Sequence, residues 1–147
     1  MKKDLIYKDE CYKIIGTCFE VYKAMGCGFL ESVYHECLEI EFERQNIPFL
    51  THKKLKLKYK DVFLKKTFEA DFVCYDKIIV EIKAMKNLIK DNEAQLLNYL
   101  NTTQYKLGVL VNFGHYPQLE YKRMILENKK YSLLNTLKDR KEEMILT

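Results

Sequence analysis

Apolar residues at the start of the chain recur every three or four positions. This spacing runs through residues 4–25 and again through residues 30–42, and it is the period of an amphipathic helix. Gly26 and Gly28 lie between the two segments, where glycine interrupts helical structure. The pattern therefore predicts two successive helices, each with one buried face.

The apolar period changes to two after Pro48. Leu55, Leu57 and Tyr59 alternate with lysines, which predicts a strand with one half-buried face and one lysine-rich face. A later apolar run, KLGVLVN, is typical of a buried central strand. Further strands are predicted at residues 67–75, 78–84, 106–112 and 119–126, and a third helix at residues 88–100. The order α-α-β-β-β-α-β-β predicts the α/β class, with a mixed central β-sheet flanked by helices.

Size and composition favour one folded domain. The chain has 147 residues, of which 48% are apolar and 31% charged, and these values exclude a disordered tail or a collagen. We expect one domain over residues 1–130 and a Lys/Glu-rich peripheral tail, residues 131–147, that is helical. No apolar run reaches the roughly 18 residues of a membrane span, and no secretory signal opens the chain. We therefore expect a cytoplasmic protein with no membrane partner.

Several kinds of chemistry are disfavoured by the residues present. The five cysteines never fall as C-x-x-C, so a zinc or iron–sulfur site built on thiolates is not expected. The three histidines, His35, His52 and His115, are scattered singly, and we interpret each as a surface or core residue. There is no glycine-rich phosphate loop ending in G-K-S/T. The net charge of +4 permits a nucleic-acid partner without requiring one.

Two charged residues interrupt an otherwise apolar predicted strand. Glu81 and Lys83 are two residues apart, so their side chains project from the same face of the sheet. Burying such charges is costly unless they pair with each other or bind a metal ion. A third charged residue, Asp71, lies on the preceding strand.

The register of the two strands decides whether these residues meet. A two-residue turn at Asp76 and Lys77 would pair Asp71 with Ile82, and would point it away from Glu81. A three-residue loop that also includes Tyr75 would pair Asp71 with Glu81 instead. Only the three-residue loop gathers the apolar side chains on one face, and a slip of one residue would reverse every side chain. We therefore favour this register; the apolar face would comprise Phe72, Cys74, Ile78, Val80 and Ile82.

The pattern alone leaves two interpretations of this charged group. Two carboxylates and a lysine on one face suit a hard divalent cation with oxygen ligands, with the lysine beside an activated water. The alternative is an ordinary cross-strand ion pair on a solvated face. Two further segments bear on the choice. Gln95 and Tyr99 share one face of the third helix, and Glu31 and Tyr34 lie one turn apart just after the glycine break.

These segments together resemble the GxxExxY protein family, which is placed in the PD-(D/E)XK nuclease superfamily. The matching elements are G-x-x-E-x-x-Y at residues 28–34, the pair Asp71 and Glu81-x-Lys83, QLLNYL at 95–100 and VNFG at 111–114. The resemblance extends over about residues 5–126, with the elements in the right order. One position departs from the superfamily pattern, because Ala70 stands where a proline commonly precedes the aspartate.

The resemblance implies a restriction-endonuclease-like core and a metal-dependent nuclease site. Asp71 and Glu81 would bind Mg²⁺ or Mn²⁺, helped by the Ile82 carbonyl and by Glu31 as an additional ligand. Lys83 would orient or deprotonate the attacking water. Gln95 would act at the site as in the RecB-like branch, and the expected substrate contacts are Tyr99, Lys86 and Tyr34.

The implied partner is nucleic acid, with DNA the favoured one. Basic residues should then surround the acidic site, and the candidates are Lys54, Lys56, Lys58, Lys60, Lys65, Lys66, Lys86 and Lys90. Alternating lysines also simply solubilise or protect an edge strand. A homodimer or a protein partner would supply targeting, because no base-reading element is present. The alternative function is a catalytically silent module that binds nucleic acid or protein.

Overall fold

The computed structural model describes residues 5–126. Its elements follow the order that the sequence predicts. They are α1 (Lys8–Met25), α2 (Glu31–Arg44), β1 (Phe49–Tyr59), β2 (Val62–Cys74), β3 (Ile78–Lys83), α3 (Lys90–Thr103), β4 (Leu107–Asn112) and β5 (Glu120–Ile125). The predicted helical tail, residues 131–147, lies outside the described residues. No helix in the described part is long and apolar enough to cross a membrane.

The five strands form one sheet in the order β1-β2-β3-β4-β5. Neighbouring strands are antiparallel except for β3 and β4, which are parallel. Parallel neighbours need a crossover connection, and α3 provides it. The sheet is therefore mixed, as predicted.

Helices cover both faces of this sheet. On one face, α1 and α2 contribute Cys18, Leu38 and Phe42 to a cluster that includes the strand residues Phe72 and Val80. On the other face, Leu96 and Leu100 of α3 join a second cluster with Val73 and Ile79. All residues of β4 are buried, as expected for a central strand between two helical layers.

The predicted register of β2 and β3 is confirmed. Phe72 lies opposite Val80, and Cys74 lies opposite Ile78, which leaves a three-residue loop. Tyr75 and Asp76 in that loop have positive φ angles, of 56° and 58°. The apolar set predicted to share one face is fully buried in the cluster beneath α1 and α2.

The second strand begins earlier than predicted, at Val62 instead of residue 67. Its backbone pairs with β1 out to the Tyr59–Val62 contact, so the two strands form a long hairpin. The side chains of residues 62–67 are exposed. Because they have no buried face, these residues lack the alternation that would have indicated a strand.

The side-chain alternation of β2 breaks at Asp71. Phe72 belongs to the cluster beneath α1 and α2, whereas Ala70 and Phe68 belong to the cluster beneath α3, although all three have even spacing. On β1, the residue between the partners of Phe72 and Ala70 is His52, which has a positive φ of 51°. In both β1 and β2, therefore, the side chains on either side of this level point to opposite faces of the sheet from those that regular alternation would give. Hydrophobic spacing did not predict this irregularity.

Candidate active site

The carboxylates of Asp71 and Glu81 each accept a hydrogen bond from a backbone amide of the neighbouring strand. The amide of Ile82 donates to Asp71 Oδ2 at 2.9 Å, and the amide of Asp71 donates to Glu81 Oε1 at 3.0 Å. The regular pairing of β2 with β3 runs only from Cys74–Ile78 to Phe72–Val80. Beyond it, carboxylate oxygens accept the backbone hydrogens that strand carbonyls would otherwise accept. The two acids are thus fixed where the strands part.

The electrostatic environment of Glu81 disfavours its charged form. Burial raises the pKa of this carboxyl to about 8, and the neighbouring Asp71 carboxylate adds to the rise. Lys83 acts in the opposite direction. Asp71 and Glu81 are adjacent and partly buried, and a divalent cation bound between them would stabilise the charged form of both carboxyl groups. Their surroundings therefore fit a hard metal ion.

Glu31, the first residue of α2, belongs to the same electrostatic group. Its pKa is raised by partial burial and by the Asp71 carboxylate, while Lys83 and His35 lower it. The fold thus brings the start of α2 close to the parted ends of β2 and β3. Three carboxyl groups and one lysine influence one another here, although they come from three separate elements.

Glu81 and Lys83 face a cavity beneath α3. This cavity has a volume of about 160 Å³, and its wall includes Gln95 and Tyr99. The Tyr99 ring stacks on Phe68, with centroids 3.7 Å apart. Gln95 and Tyr99 therefore lie beside the glutamate and the lysine. The spacing of the two residues on α3 made this arrangement possible, but it required the crossover of α3 over the sheet.

Asp71 faces a second, wider cavity on the other side of the paired acids. This cavity has a volume of about 580 Å³, and Glu31 and Ile82 also line it. Its wall also contains His35, Glu39 and His52, to which the sequence interpretation gave no role in the site. The predicted site residues are thus divided between two cavities, and the Asp71–Glu81 hydrogen bonds lie between them.

Tyr34 and Lys86 occupy different places from the one expected. Tyr34 is fully buried, its hydroxyl donates to the Gly26 carbonyl at 2.5 Å, and its ring stacks on Phe113. It therefore anchors the glycine loop to the core instead of facing either cavity. Lys86 is exposed on the loop after β3 and is not among the described residues that line the two cavities.

The histidines were interpreted singly, yet the fold brings two of them together. The rings of His35 and His52 stack with centroids 4.4 Å apart and planes 12° apart. One feature of the sequence could have indicated the group, because His35 is four residues before Glu39 on α2, whereas the position of His52 at the level of Asp71 is known only from the strand register. That feature is not informative until the packing of α2 against the sheet is known.

A basic surface runs along the β1–β2 hairpin. The side chains of Lys56 and Lys58 lie over the exposed Phe63 ring, at 5.4 and 5.5 Å from its centroid. The exposed lysines of this hairpin are Lys54, Lys56, Lys58, Lys60, Lys65 and Lys66. The hairpin thus combines positive charge with exposed apolar and aromatic side chains.

Comparisons with known proteins agree with this architecture. The crystal structure of SSO0001 is similar to 74% of this chain, with a TM-score of 0.53 and 17% sequence identity. This chain spans 55% of the length of that protein, and at such low identity the likeness concerns the fold, a restriction-endonuclease-like α/β core. No curated protein matches the chain. The PD-(D/E)XK nuclease superfamily matches residues 8–124. With that match over most of its length, the chain belongs to the PD-(D/E)XK nuclease superfamily.

Proposed function

We propose that this chain is a metal-dependent nuclease that hydrolyses phosphodiester bonds in nucleic acid. The observation that carries the proposal is the pair of interlocked carboxyl groups, Asp71 and Glu81, with Lys83 beside Glu81 in one cavity wall. The superfamily to which the chain belongs consists mostly of metal-dependent nucleases. The G-x-x-E-x-x-Y segment at residues 28–34 supports placing the chain in the GxxExxY family within it.

Asp71 and Glu81 would hold Mg²⁺ or Mn²⁺, with Glu31 and the Ile82 carbonyl as further oxygen donors. When bound, such an ion stabilises negative charge on the phosphate and lowers the pKa of a bound water. The support lies in the donor set, in which oxygen atoms dominate. The pKa values of Glu31 and Glu81 are raised first by burial and then by the neighbouring Asp71 carboxylate. The backbone bonds to Asp71 and Glu81 hold one oxygen of each carboxylate in place.

Lys83 would orient the attacking water and stabilise the extra charge of the transition state. Preorganised positive charge in a partly closed cavity is worth more than in water. Gln95 and Tyr99 share the cavity wall with Lys83 and would contact the water or the substrate. The Phe68–Tyr99 stack holds the tyrosine ring in a fixed orientation.

The proposed substrate is a polyanion, and DNA is our first choice. The lysine-rich β1–β2 hairpin would contact phosphates, and its exposed Phe63 ring offers a surface for base stacking. Targeting to a particular sequence would come from a homodimer or from a protein partner.

The β2–β3 hairpin supplies matched variants for the test. Lys83→Gln and Lys77→Gln make the same change at opposite ends of β3, and only Lys83 lines the cavity with Glu81. Internally labelled single- and double-stranded DNA and RNA would be incubated with each protein in Mg²⁺, in Mn²⁺ and in EDTA. We expect metal-dependent cleavage by the wild type and by Lys77→Gln, and its loss in Lys83→Gln. Cleavage that persists in Lys83→Gln or in EDTA would refute the proposal.

A second candidate is a catalytically silent module that binds nucleic acid. The basic and aromatic character of the β1–β2 hairpin favours it, because that surface would function without the carboxylates. It predicts salt-sensitive binding of an oligonucleotide in EDTA, unchanged in Lys83→Gln and weakened when Lys56 and Lys58 are replaced. Binding of this kind without cleavage in either metal would favour this candidate.

A further inference from the structure

His35, Glu39 and His52 bring three potential ligand atoms together beside the carboxylate site. Among the described residues, the two imidazoles and the carboxylate place one ligand atom each within 4.8 Å of one another. We propose that these three side chains bind a divalent transition-metal ion of the Zn²⁺ class, at a site separate from the carboxylates of Asp71 and Glu81. This inference does not depend on nuclease activity.

The second nitrogen of His35 is held by a hydrogen-bond acceptor. Nε2 lies 3.2 Å from the Asp71 carbonyl oxygen, which can only accept, so this nitrogen carries a hydrogen. Nδ1 lies 3.0 Å from a Glu39 carboxylate oxygen. With the hydrogen on Nε2, the lone pair of Nδ1 lies on the side of this carboxylate, so the nitrogen and the oxygen can both act as donors to one metal ion.

His52 is held in the same manner by a different acceptor. Its Nδ1 lies 3.0 Å from a carboxylate oxygen of Glu69, so Nε2 is the nitrogen left to act as a ligand. Histidines that bind metals usually donate their other N–H to a carboxylate or a backbone carbonyl, because this orients the ring and fixes the tautomer. The Asp71 carbonyl and Glu69 supply both kinds of partner.

The donor set defines the class of ion. Two imidazoles and one carboxylate are ligands that Zn²⁺, Co²⁺ and Ni²⁺ prefer, whereas Mg²⁺ selects oxygen donors. Three protein ligands also leave one coordination position for water or substrate. The carboxylate site and the histidine site should therefore differ in metal preference, although both open into the cavity of about 580 Å³.

A modest rotation of exposed side chains would complete the site. The stacked rings of His35 and His52 cannot both direct in-plane lone pairs at one ion, so one ring must turn. His35 is fixed by stacking on Phe72, with centroids 4.2 Å apart. The side chains of His52, Glu39 and Glu69 are 55%, 40% and 51% exposed, so His52 has room to turn with Glu69 following it. Closing to the roughly 3.4 Å between ligands of a tetrahedral zinc site is within their reach.

Binding of zinc is tested in protein whose carboxylate site has been disabled. The full chain carrying Asp71→Asn and Glu81→Gln, with any purification tag removed, would be titrated with Zn²⁺ by calorimetry and with Co²⁺ by visible absorption. We expect one Zn²⁺ ion to bind per chain, with an affinity at least 100-fold higher than that of the same protein for Mg²⁺. Replacing His52 by Ala or Glu39 by Gln in this background should weaken Zn²⁺ binding by at least 10-fold.

His115→Ala is the matched control, because His115 lies on the loop after β4 and bonds to the Lys86 carbonyl. It should leave the titration unchanged, and thermal unfolding without metal should show that each variant is folded. Equal Zn²⁺ binding by the His52→Ala and His115→Ala proteins would overturn the proposal. So would negligible binding by the starting protein, which would mean that a proton alone bridges His35 and Glu39.

Discussion

The two ends of the β2–β3 hairpin use the same two strands in opposite ways. Near the turn, residues from Cys74–Ile78 to Phe72–Val80 form a regular ladder of fully buried apolar side chains. One residue further along, the ladder gives way to bonds between carboxylates and backbone amides. Backbone donors are satisfied at both ends, as burial requires. The comparison shows that the sheet accommodates carboxyl groups by giving up strand pairing at their level, which opens cavities on both sides.

The largest expected effect is a difference in cleavage rate between two variants, one at Asp71, where β2 and β3 part, and one at Asp76 in the turn. Asp71→Asn should reduce the proposed cleavage by at least about 100-fold, because it removes a metal-binding charge while keeping the bond to the Ile82 amide. Asp76→Asn makes the same change in the turn, where asparagine tolerates the positive φ. Initial rates of cleavage in Mn²⁺ would measure both. Equal cleavage rates for Asp71→Asn and Asp76→Asn would contradict a catalytic role that is confined to the Asp71 end of the hairpin.

The backbone beyond the parted end should be intolerant of added volume. A Cβ at Gly114 would lie 2.4 Å from the Met85 amide nitrogen and 2.5 Å from its carbonyl oxygen, just after β3. Gly114→Ala should therefore lower the free energy of unfolding by about 3 kcal/mol, since backbone cannot easily move aside. Urea denaturation would measure it. Gly16→Ala is the control, because a Cβ added at Gly16 would meet nothing within 4 Å. This change should stabilise α1 by up to about 1 kcal/mol.

The raised pKa of Glu81 predicts a pH-dependent stability. The folded carboxyl titrates at about 8 and the unfolded one near 4.5, so between these values the folded state binds the extra proton. This stabilisation is complete below the unfolded pKa and is lost as the pH rises through about 8. Glu81→Gln does not titrate, and its glutamine oxygen can still accept from the Asp71 amide.

The stability of Glu81→Gln relative to the wild type should therefore increase with pH, by about 1–3 kcal/mol between acidic and alkaline buffers. Urea denaturation in EDTA at a series of pH values would measure this change. Two parallel curves would show that burial does not raise the pKa of Glu81.

A conservative change in the regular ladder should have the smallest effect. Ile79 is fully buried opposite Val73, so Ile79→Val should cost about 1 kcal/mol of unfolding free energy. The proposed cleavage rate per folded molecule should not change, because Ile79 lines neither of the two cavities at the site. A large loss of rate in a fully folded Ile79→Val protein would show that the two ends are coupled.

Much of the fold was predictable from local patterns. Spacings of three to four and of two, together with continuous apolar runs such as residues 106–112, indicated all eight elements in order. The register of β2 and β3 followed because only one alignment gathers Phe72, Val80 and Ile82 on one face. The start of β2 was missed because residues 62–67 are exposed on both faces and carry no periodic signal.

The candidate site was less predictable from spacing alone. The spacing of Glu81 and Lys83 placed them on one face, but the resemblance to a known family was needed to associate Glu31, Gln95 and Tyr99 with them. Tyr34 matched the family motif and yet lies in the core, since a motif does not distinguish a buried anchor from an exposed contact. The grouping of His35 with His52 depends on the packing of α2 against β1.

By itself, the sequence determined the class of fold, the order of its elements and the register of β2 with β3, because hydrophobic burial is encoded in local periodicity. Only the tertiary structure decided which charged residues meet. The parting of β2 from β3 at Asp71 and the change of face opposite His52 are long-range events with no periodic signature. Electrostatic interactions act between side chains distant in sequence, so the raised pKa of Glu81 emerges only once the chain has folded.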